Sequence, residues 1–349
     1  ETFSAMTENQ AVVLEAPRQL VLQERSKPTA GAGEVVVRVA ATAVCGTDLE
    51  IYTGRHPGVN YPVVMGHEAT GVVAEVGNGV THVQPGQPVL INPIIACGHC
   101  DLCATGRENL CRNAGLFGRE IEGSLSRYVC LASRYVYPLP ENLPLAEATL
   151  IETLATVRHA QNRTAITAGE SVVVIGQGTT GLLHTRLAVL AGADPVIAIS
   201  RSQWKLDMAT KMGAHHAVAQ AAEAAVSEVQ RLTSNEGADV VIDTAGGPAI
   251  LKLGMDMLRP GGRYSAFAVS HVPVKNFTTF PLYFKEVSIV GSRALLPEDM
   301  EPCIELVASG QVDVSGFVTS TYPLQETPPA FEEFERNPSS ILRIVIDSS

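Results

Sequence analysis

Hydrophobic residues in the first third of the chain come in short runs that glycine and proline interrupt. The segments EVVVRVAATAV (34–44), ATGVVAEVG (69–77) and QPVLINPII (87–95) are rich in valine and isoleucine, which favour extended backbone. The glycines and prolines between them favour turns. This pattern predicts short strands that form an antiparallel, barrel-like β domain.

The pattern changes near residue 155, where strand-like runs begin to alternate with helical periodicity. Residues 172–175 form a continuous apolar run, as in a strand buried on both faces of a sheet. Leu183, Leu187 and Leu190 then follow at helical spacing. Further strand-like runs occupy 195–200, 238–246, 261–269 and 287–292. The alternation predicts a doubly wound parallel sheet, and therefore an α/β fold class.

We therefore predict two domains. The first comprises residues 1–154 and is completed by 295–349, where a helix and two strands are predicted; the second comprises 155–294. A chain of 349 residues with 46% hydrophobic and 17% charged residues is long and apolar enough to bury two cores.

Charge and hydropathy limit the classes of partner. The formal net charge of −11 disfavours binding to nucleic acid, whose phosphates an acidic surface repels. The first residues show no apolar run typical of a secretory signal, and no run reaches the roughly 18 apolar residues of a membrane span. We expect a cytoplasmic protein that has neither a nucleic acid nor a membrane as its partner.

Four of the seven cysteines lie close together, at Cys97, Cys100, Cys103 and Cys111. Four thiolates at such spacing can surround one tetrahedral Zn²⁺. Cysteines separated by two intervening residues also bind iron–sulfur clusters, which is the alternative. A four-cysteine zinc site leaves no position open for substrate, so a structural role is expected. Two further cysteines, Cys130 and Cys303, are interpreted as buried thiols.

A second set of metal-ligating side chains is spread over separate segments. Cys45, His67 and Glu152 are of the types that hold a catalytic zinc with one position open, and Glu68 adjoins His67. Spacing alone does not join them. A glutamate that merely begins a helix is the alternative interpretation of Glu152.

Two motifs around these residues are similar to one known family. Gly66-His67-Glu68-x-x-Gly71, followed by Gly77 and Val80, and the segment Cys45-Gly46-Thr47-Asp48 resemble the zinc-dependent medium-chain alcohol dehydrogenase family, along essentially the whole chain. The resemblance implies a GroES-like β-barrel catalytic domain and a Rossmann cofactor domain. It also implies two zinc ions per chain, one catalytic and one structural, and assembly into a homodimer or homotetramer. At the four cysteines it favours zinc over an iron–sulfur cluster.

The same resemblance implies roles for the second set of ligands. Cys45 and His67 are expected to bind the catalytic zinc, and Glu68 to bind it or to lie directly behind it. Glu152 stands where many alcohol dehydrogenases have a cysteine and where sorbitol dehydrogenases have glutamate. It is therefore expected to be a zinc ligand, and it points to the polyol branch of the family.

Other positions are implied in proton transfer and substrate binding. Thr47 matches the hydroxyl that takes the substrate proton, and a zinc-bound alcohol has a lowered pKa that assists this step. Glu50 replaces the histidine that usually follows in the relay, so either Glu50 or water is expected to receive the proton. Arg55, His56 and Tyr61 are candidates for the substrate pocket.

A glycine-rich turn indicates where a dinucleotide binds. Gly176-x-Gly178-x-x-Gly181 follows a predicted strand and opens a predicted helix, whose N-terminus favours a pyrophosphate. Gln177, Thr179 and Thr180 complete the turn and are candidate contacts. By resemblance, Ser292 and Arg293 lie at the nicotinamide end of the cleft.

The end of the next strand indicates which dinucleotide is used. NAD enzymes usually place Asp or Glu about 20 residues beyond the turn, where it binds the ribose hydroxyls. Ser200 occupies this position, Arg201 follows it, and Lys205 lies one helical turn further on. Basic residues without a carboxylate favour the 2′-phosphate of NADP. The alternative is an NAD-binding chain with an exposed basic cluster.

Together these observations predict transfer of a hydride between NADP(H) and a secondary alcohol or ketone, with a polyol or a sugar-derived molecule as substrate. Three alternatives remain: a zinc-dependent reductase of other aldehydes or ketones, a zinc-free reductase of activated double bonds, and a non-enzymatic nucleotide-binding protein.

Two departures from the family are expected to alter loop geometry: Gln87-Pro88 replaces an Asp-Arg pair, and Thr153 replaces a proline. His159 and His184 lie on helical stretches and are interpreted as packing or surface residues.

Overall fold

The computed structural model describes residues 9–219, 223–275 and 277–349. The chain divides into two compact units, one of Glu1–Thr153 with Leu296–Ser349 and the other of Leu154–Leu295. Among the described residues, no helix combines the length and the apolar character needed to cross a membrane.

The first unit is built mainly of short strands. Its strands are β1 (Asn9–Ala16), β2 (Gln19–Arg25), β3 (Glu34–Val44), β4 (Val63–Val64), β5 (Glu68–Val76), β6 (Pro88–Ile91), β7 (Ile94–Ile95), β8 (Gly115–Leu116), β9 (Tyr128–Ala132), β10 (Val136–Pro138), β17 (Val318–Pro323) and β18 (Arg343–Asp347). Its helices are α1 (Gly46–Tyr52), α2 (Asp101–Ala104), α3 (Leu145–Ala148), α10 (Pro297–Ala308) and α11 (Thr327–Arg336), and α4 (Leu150–Thr164) begins in it.

The largest sheet of this unit brings together strands that are far apart in sequence. Its order is β10-β6-β5-β3-β18-β17, with β9 also paired to β3. The pairs are antiparallel except for β17 and β18, which are parallel. A Cβ on Gly71 would lie only 2.3 Å from the Arg38 carbonyl oxygen on β3, so glycine permits β5 to approach this closely. The sheet thus places the ends of β3, β5 and β18 side by side.

The second unit alternates strands and helices. Its strands are β11 (Val172–Ile175), β12 (Val196–Ile199), β13 (His216–Val218), β14 (Ala238–Asp243), β15 (Leu258–Ala266) and β16 (Ser288–Gly291). Its helices are α5 (Thr179–Leu190), α6 (Gln203–Lys211), α7 (Glu223–Leu232), α8 (Pro248–Met257) and α9 (Phe280–Lys285).

These six strands form one parallel sheet in the order β13-β12-β11-β14-β15-β16. This is the order of a doubly wound dinucleotide-binding sheet, in which the strand order reverses between β11 and β14 while all strands stay parallel. All four residues of β11 are buried, as its continuous apolar run predicts. The predicted α/β class with a β-rich first domain and a doubly wound second domain is confirmed.

Candidate metal centres and cofactor site

The first candidate centre is formed where β3 ends and β5 begins. Cys45 caps the N-terminus of α1, and His67 directly precedes β5. The Cys45 Sγ and the His67 Nε2 are 3.2 Å apart. Ligand atoms of Cys45, Asp48 and His67 all lie within 4.8 Å of one another. A thiol and an imidazole nitrogen that converge in this way fit a zinc ion, for which both are common ligands.

Asp48 orients this pair, a role that its place in the Cys45-Gly46-Thr47-Asp48 segment did not indicate. Its Oδ2 accepts a hydrogen bond of 3.0 Å from the Cys45 backbone N–H, and its Oδ1 lies 3.2 Å from the His67 Nδ1. A carboxylate on one ring nitrogen leaves the other nitrogen directed at the metal position. The signal in the sequence is an acid three residues after Cys45, in the first turn of a helix.

Burial and neighbouring charge act against each other in this centre. Burial alone disfavours charge, but the charges of Asp48 and Cys45 outweigh it and raise the pKa of His67 well above its usual value. The pair with His67 likewise offsets burial and lowers the pKa of Asp48. Burial raises the pKa of the Cys45 thiol.

Two glutamates lie buried beside these residues, outside the group of three ligand atoms that lie within 4.8 Å. Burial, and then the neighbouring Glu68 carboxylate, raise the pKa of Glu152 to about 8. Burial also raises the pKa of Glu68, although Arg343 opposes the shift. Three carboxyl groups and the Cys45 thiol thus lie beside two basic groups, His67 and Arg343, a donor set that a divalent cation would neutralise.

The candidate relay residues occupy α1. Thr47 is half-buried in the first turn of the helix. Glu50 forms an ion pair with Arg55: the Arg55 Nη2 and Nε lie 2.8 and 3.1 Å from the Glu50 Oε1.

Two candidates for the substrate pocket lie nearby in sequence. Tyr61 donates a hydrogen bond of 3.0 Å to the Ile51 carbonyl oxygen. The His56 Nε2 lies 3.5 Å from the Arg119 Nη1.

The four clustered cysteines form the second candidate centre. Cys100 caps α2, and its Sγ lies 3.5 Å from the Sγ of Cys103 and 3.9 Å from that of Cys111. The Sγ of Cys97 lies 3.9 Å from that of Cys103. Backbone N–H groups of Cys103 and Arg112 lower the pKa of Cys100 to about 6. This set of four thiols fits a tetrahedral zinc ion, because thiolates are the ligands such a site requires.

The glycine-rich turn joins β11 to α5. A Cβ on Gly181 would lie 1.9 Å from the Gly176 carbonyl oxygen, so packing of the helix against the turn requires glycine there. Gly178 caps α5, and a Cβ at this position would meet no atom within 4 Å. The open space at this helix N-terminus fits the approach of a pyrophosphate.

The other residues of the turn differ in orientation. Gln177 is buried, where its Nε2 donates to the Val174 carbonyl oxygen at 3.0 Å and its Oε1 accepts from the Thr185 hydroxyl at 3.1 Å. Its side chain therefore packs in the interior, so only its backbone is available to contact a ligand. Thr179 is buried and Thr180 half-buried at the start of α5.

The candidate residues for cofactor selection follow β12. The Ser200 hydroxyl accepts a hydrogen bond of 3.1 Å from the Ser202 N–H, and Arg201 is exposed. The Lys205 Nζ lies 5.2 Å from the centre of the Trp204 ring.

At the other end of the sheet, Ser292 is half-buried and Arg293 exposed after β16. His184, on α5, is buried and packs edge-on against Phe267, with ring centres 4.6 Å apart.

Substitutions of Gly178 and Gly181 are expected to have different effects on stability and on dinucleotide binding. Gly181→Ala is expected to lower the free energy of unfolding by about 1–3 kcal/mol, because its methyl group overlaps a backbone oxygen. Gly178→Ala should change it by no more than about 0.5 kcal/mol, because a φ of −75° suits alanine and the smaller conformational entropy of the unfolded chain offsets the weaker N-cap. It should nevertheless weaken binding of both NAD and NADP. Urea denaturation and dinucleotide titration of both variants measure this, and equal losses of stability would contradict it.

Comparison with known proteins agrees with these two units. Residues 31–141 match the alcohol dehydrogenase GroES-like domain, and residues 179–309 match the zinc-binding dehydrogenase domain. The chain is 34% identical to a probable D-xylulose reductase A of Aspergillus clavatus, over 95% of each chain. It is 34% identical to a sorbitol dehydrogenase of Halalkalibacterium halodurans, over 89% of this chain and 91% of that protein.

A solved structure extends the likeness to three dimensions. A putative zinc-binding dehydrogenase from Sinorhizobium meliloti 1021, bound to NADP, superposes with a TM-score of 0.89 at 28% identity, over 99% of this chain and 100% of that one. The chain therefore belongs to the zinc-dependent medium-chain alcohol dehydrogenases, a family of oxidoreductases, in the branch that contains sorbitol dehydrogenases and D-xylulose reductases.

Proposed function

We propose that this protein transfers a hydride between NADP(H) and a secondary alcohol or its ketone, and that the substrate is a polyol or a sugar-derived molecule. The observation that carries the proposal is the convergence of Cys45 and His67, with Asp48 behind them and two buried glutamates beside them. In the oxidation, the carbinol carbon gives a hydride to the nicotinamide ring and the hydroxyl loses a proton. The products are a ketone, NADPH and H⁺.

We assign two zinc ions to each chain. Cys45, His67 and Glu152 would hold the catalytic ion, with Glu68 as a ligand or directly behind, and the four clustered cysteines would hold the structural one. The catalytic ion supplies a Lewis acid that lowers the pKa of the alcohol hydroxyl. Thr47 receives the hydroxyl proton. The Glu50 carboxylate is paired with Arg55, so it could take the proton from Thr47 only if this ion pair opened. We therefore assign water as the acceptor of the proton from Thr47.

The polyol class rests on Glu152 and on the kinship with proteins named for sorbitol and D-xylulose. A carboxylate in place of a second thiolate makes the donor set harder and more tolerant of oxygen ligands. NADP is favoured by Arg201 and Lys205 beside a serine where an NAD enzyme has an acid.

The direct test is a screen of the purified, zinc-loaded protein. NADP⁺ and NAD⁺ are each offered with polyols, sugar alcohol phosphates and simple secondary alcohols, and reduced cofactor is followed at 340 nm. Turnover of a polyol, faster with NADP⁺, is the expected result. Turnover confined to simple alcohols would overturn the substrate class. Absence of oxidation and of ketone reduction in the reverse direction, with two zinc ions bound, would overturn the activity.

We also propose that two copies of the chain associate through an apolar face of the second unit. On α9, Phe280, Tyr283 and Phe284 are 63%, 82% and 71% exposed. The neighbouring β16 pairs only with β15 among the described residues, and its Ile289 is exposed. A sheet edge can pair with its own copy about a two-fold axis, which would bury these aromatic side chains.

If the chain associates through this face, a charge placed there should lower the mass of the assembly in solution. Phe284→Glu should convert the wild-type oligomer into smaller species, because a charge in an apolar interface loses its hydration. Leu190→Glu, at an exposed leucine at the end of α5, is the matched control and should keep the wild-type mass. Light scattering after size exclusion measures both, and an unchanged mass for Phe284→Glu would place the interface elsewhere.

A further inference from the structure

A buried arginine joins three segments of the first unit. Arg343 opens β18 and is 4% exposed, and its guanidinium lies against three other residues among the contacts described. Its Nη1 lies 3.3 Å from both the Val44 carbonyl oxygen and the Glu68 Oε2, and its Nη2 donates to the Thr153 hydroxyl at 2.9 Å. Each contacted residue directly adjoins a proposed zinc ligand in sequence: Val44 precedes Cys45, Glu68 follows His67, and Thr153 follows Glu152.

Thr153 has a particular place in this cluster. It is 4% exposed and lies in the first turn of α4, next to Glu152. Its hydroxyl accepts a hydrogen bond of 2.9 Å from the Arg343 Nη2, and the same guanidinium lies 3.3 Å from the Glu68 Oε2. A hydroxyl can accept this hydrogen bond, which a proline side chain cannot do. The resembling family usually has proline here, so this bridge is a property of the present chain.

Through the Arg343 guanidinium, the hydroxyl is connected to two strands. Glu68 is the first residue of β5 and Arg343 the first of β18, and these strands lie on either side of β3, which ends just before Cys45. Through Thr153 the first turn of α4 is tied to both. A buried guanidinium that loses a hydrogen-bond acceptor is left with an unsatisfied donor, so the cluster should rearrange if the hydroxyl is removed.

We propose that Thr153 is a positioning residue for the catalytic metal: its hydroxyl holds the Arg343 guanidinium that also contacts Glu68, keeps Glu152 in place, and so sets how tightly the metal is retained. The inference rests on the proposed zinc ligands. It assigns Thr153 no contact with substrate or with reacting atoms. Residues that orient metal ligands typically change metal affinity by about 10- to 100-fold when they are replaced.

The test compares Thr153→Val, which keeps the shape and removes the hydroxyl, with Thr153→Ser, which keeps the hydroxyl. The full chain is loaded with Zn²⁺ or with Co²⁺, and metal transfer to a chelator is followed over time. In Thr153→Val the catalytic ion should bind about 10- to 100-fold more weakly, and the Co²⁺ absorption bands should shift. Thr153→Ser should restore wild-type retention, and the ion at the four cysteines should behave alike in all three proteins.

Release of the ion at the four cysteines separates positioning from a merely structural role, because loss of the buried hydrogen bond lowers the melting temperature of the metal-free protein in either case. A structural role would release both ions faster in Thr153→Val, which would overturn the inference. Equal retention of the catalytic ion in Thr153→Val and wild type would overturn the inference alone. Weak retention in Thr153→Ser as well would show that the hydroxyl is not responsible. A wild-type chain that binds metal only at the four cysteines would overturn the proposed function and this inference together.

Discussion

Cys45→Ser is expected to release the catalytic zinc and to lower kcat/KM roughly a thousandfold, because a Lewis acid contributes several kcal/mol and each 1.36 kcal/mol is a factor of ten in rate. The Cys45 Sγ faces the His67 Nε2 at 3.2 Å, so the variant loses one of the converging ligand atoms of this centre. Metal analysis should give one zinc per chain where the wild type gives two. Turnover in the screening assay measures the loss of rate.

Cys130→Ser is the matched control for this prediction. Cys130 is a thiol of the same unit that lies outside both candidate centres, and its Sγ contacts only the Thr29 carbonyl oxygen and the Glu34 carboxylate, at 3.7 and 3.6 Å, among the contacts described. We expect this variant to keep both zinc ions and the wild-type rate. Full activity of Cys45→Ser with a single zinc ion would refute the catalytic centre.

Arg201→Ala should weaken NADP binding by about ten- to a hundredfold and spare NAD. A hydrogen bond to a charged group is worth about 1.5–3 kcal/mol, and 1.4 kcal/mol is tenfold in affinity. Arg201 is exposed directly after β12, so its loss removes charge without opening the core. Dissociation constants for NADPH and NADH, measured by fluorescence titration, give the two effects separately.

Lys211→Ala provides the control for charge alone. Lys211 is an exposed basic residue in the last turn of α6, the helix that begins just after Arg201. Its removal changes the net charge equally, and the affinity for NADPH should stay within about twofold, since exposed charges beyond a Debye length are largely screened. Equal weakening of NADPH and NADH by Arg201→Ala would refute its assignment to the 2′-phosphate.

Some of the site was predictable because its chemistry is local. The four clustered cysteines and the glycine-rich turn are each contained in a short segment, where spacing alone limits the geometry. The continuous apolar run of β11 likewise predicted a buried parallel strand, and that class of fold is confirmed. By contrast, the aromatic residues of α9 recur at helical spacing, but that spacing does not show that they are exposed; their exposure was seen only in the structure.

Other features needed contacts between distant segments. Residue type, periodicity and short spacing were enough to predict the fold class, the donor types and the turn that opens α5. The tertiary structure was needed to show that Asp48 orients His67, that Gln177 points inward, and that Arg343 reaches Glu68 and Thr153. The reason is physical: Asp48 meets His67 because β3 pairs with β5, and Arg343 reaches this centre because β18, near the end of the chain, pairs with β3. No local pattern encodes those strand pairings.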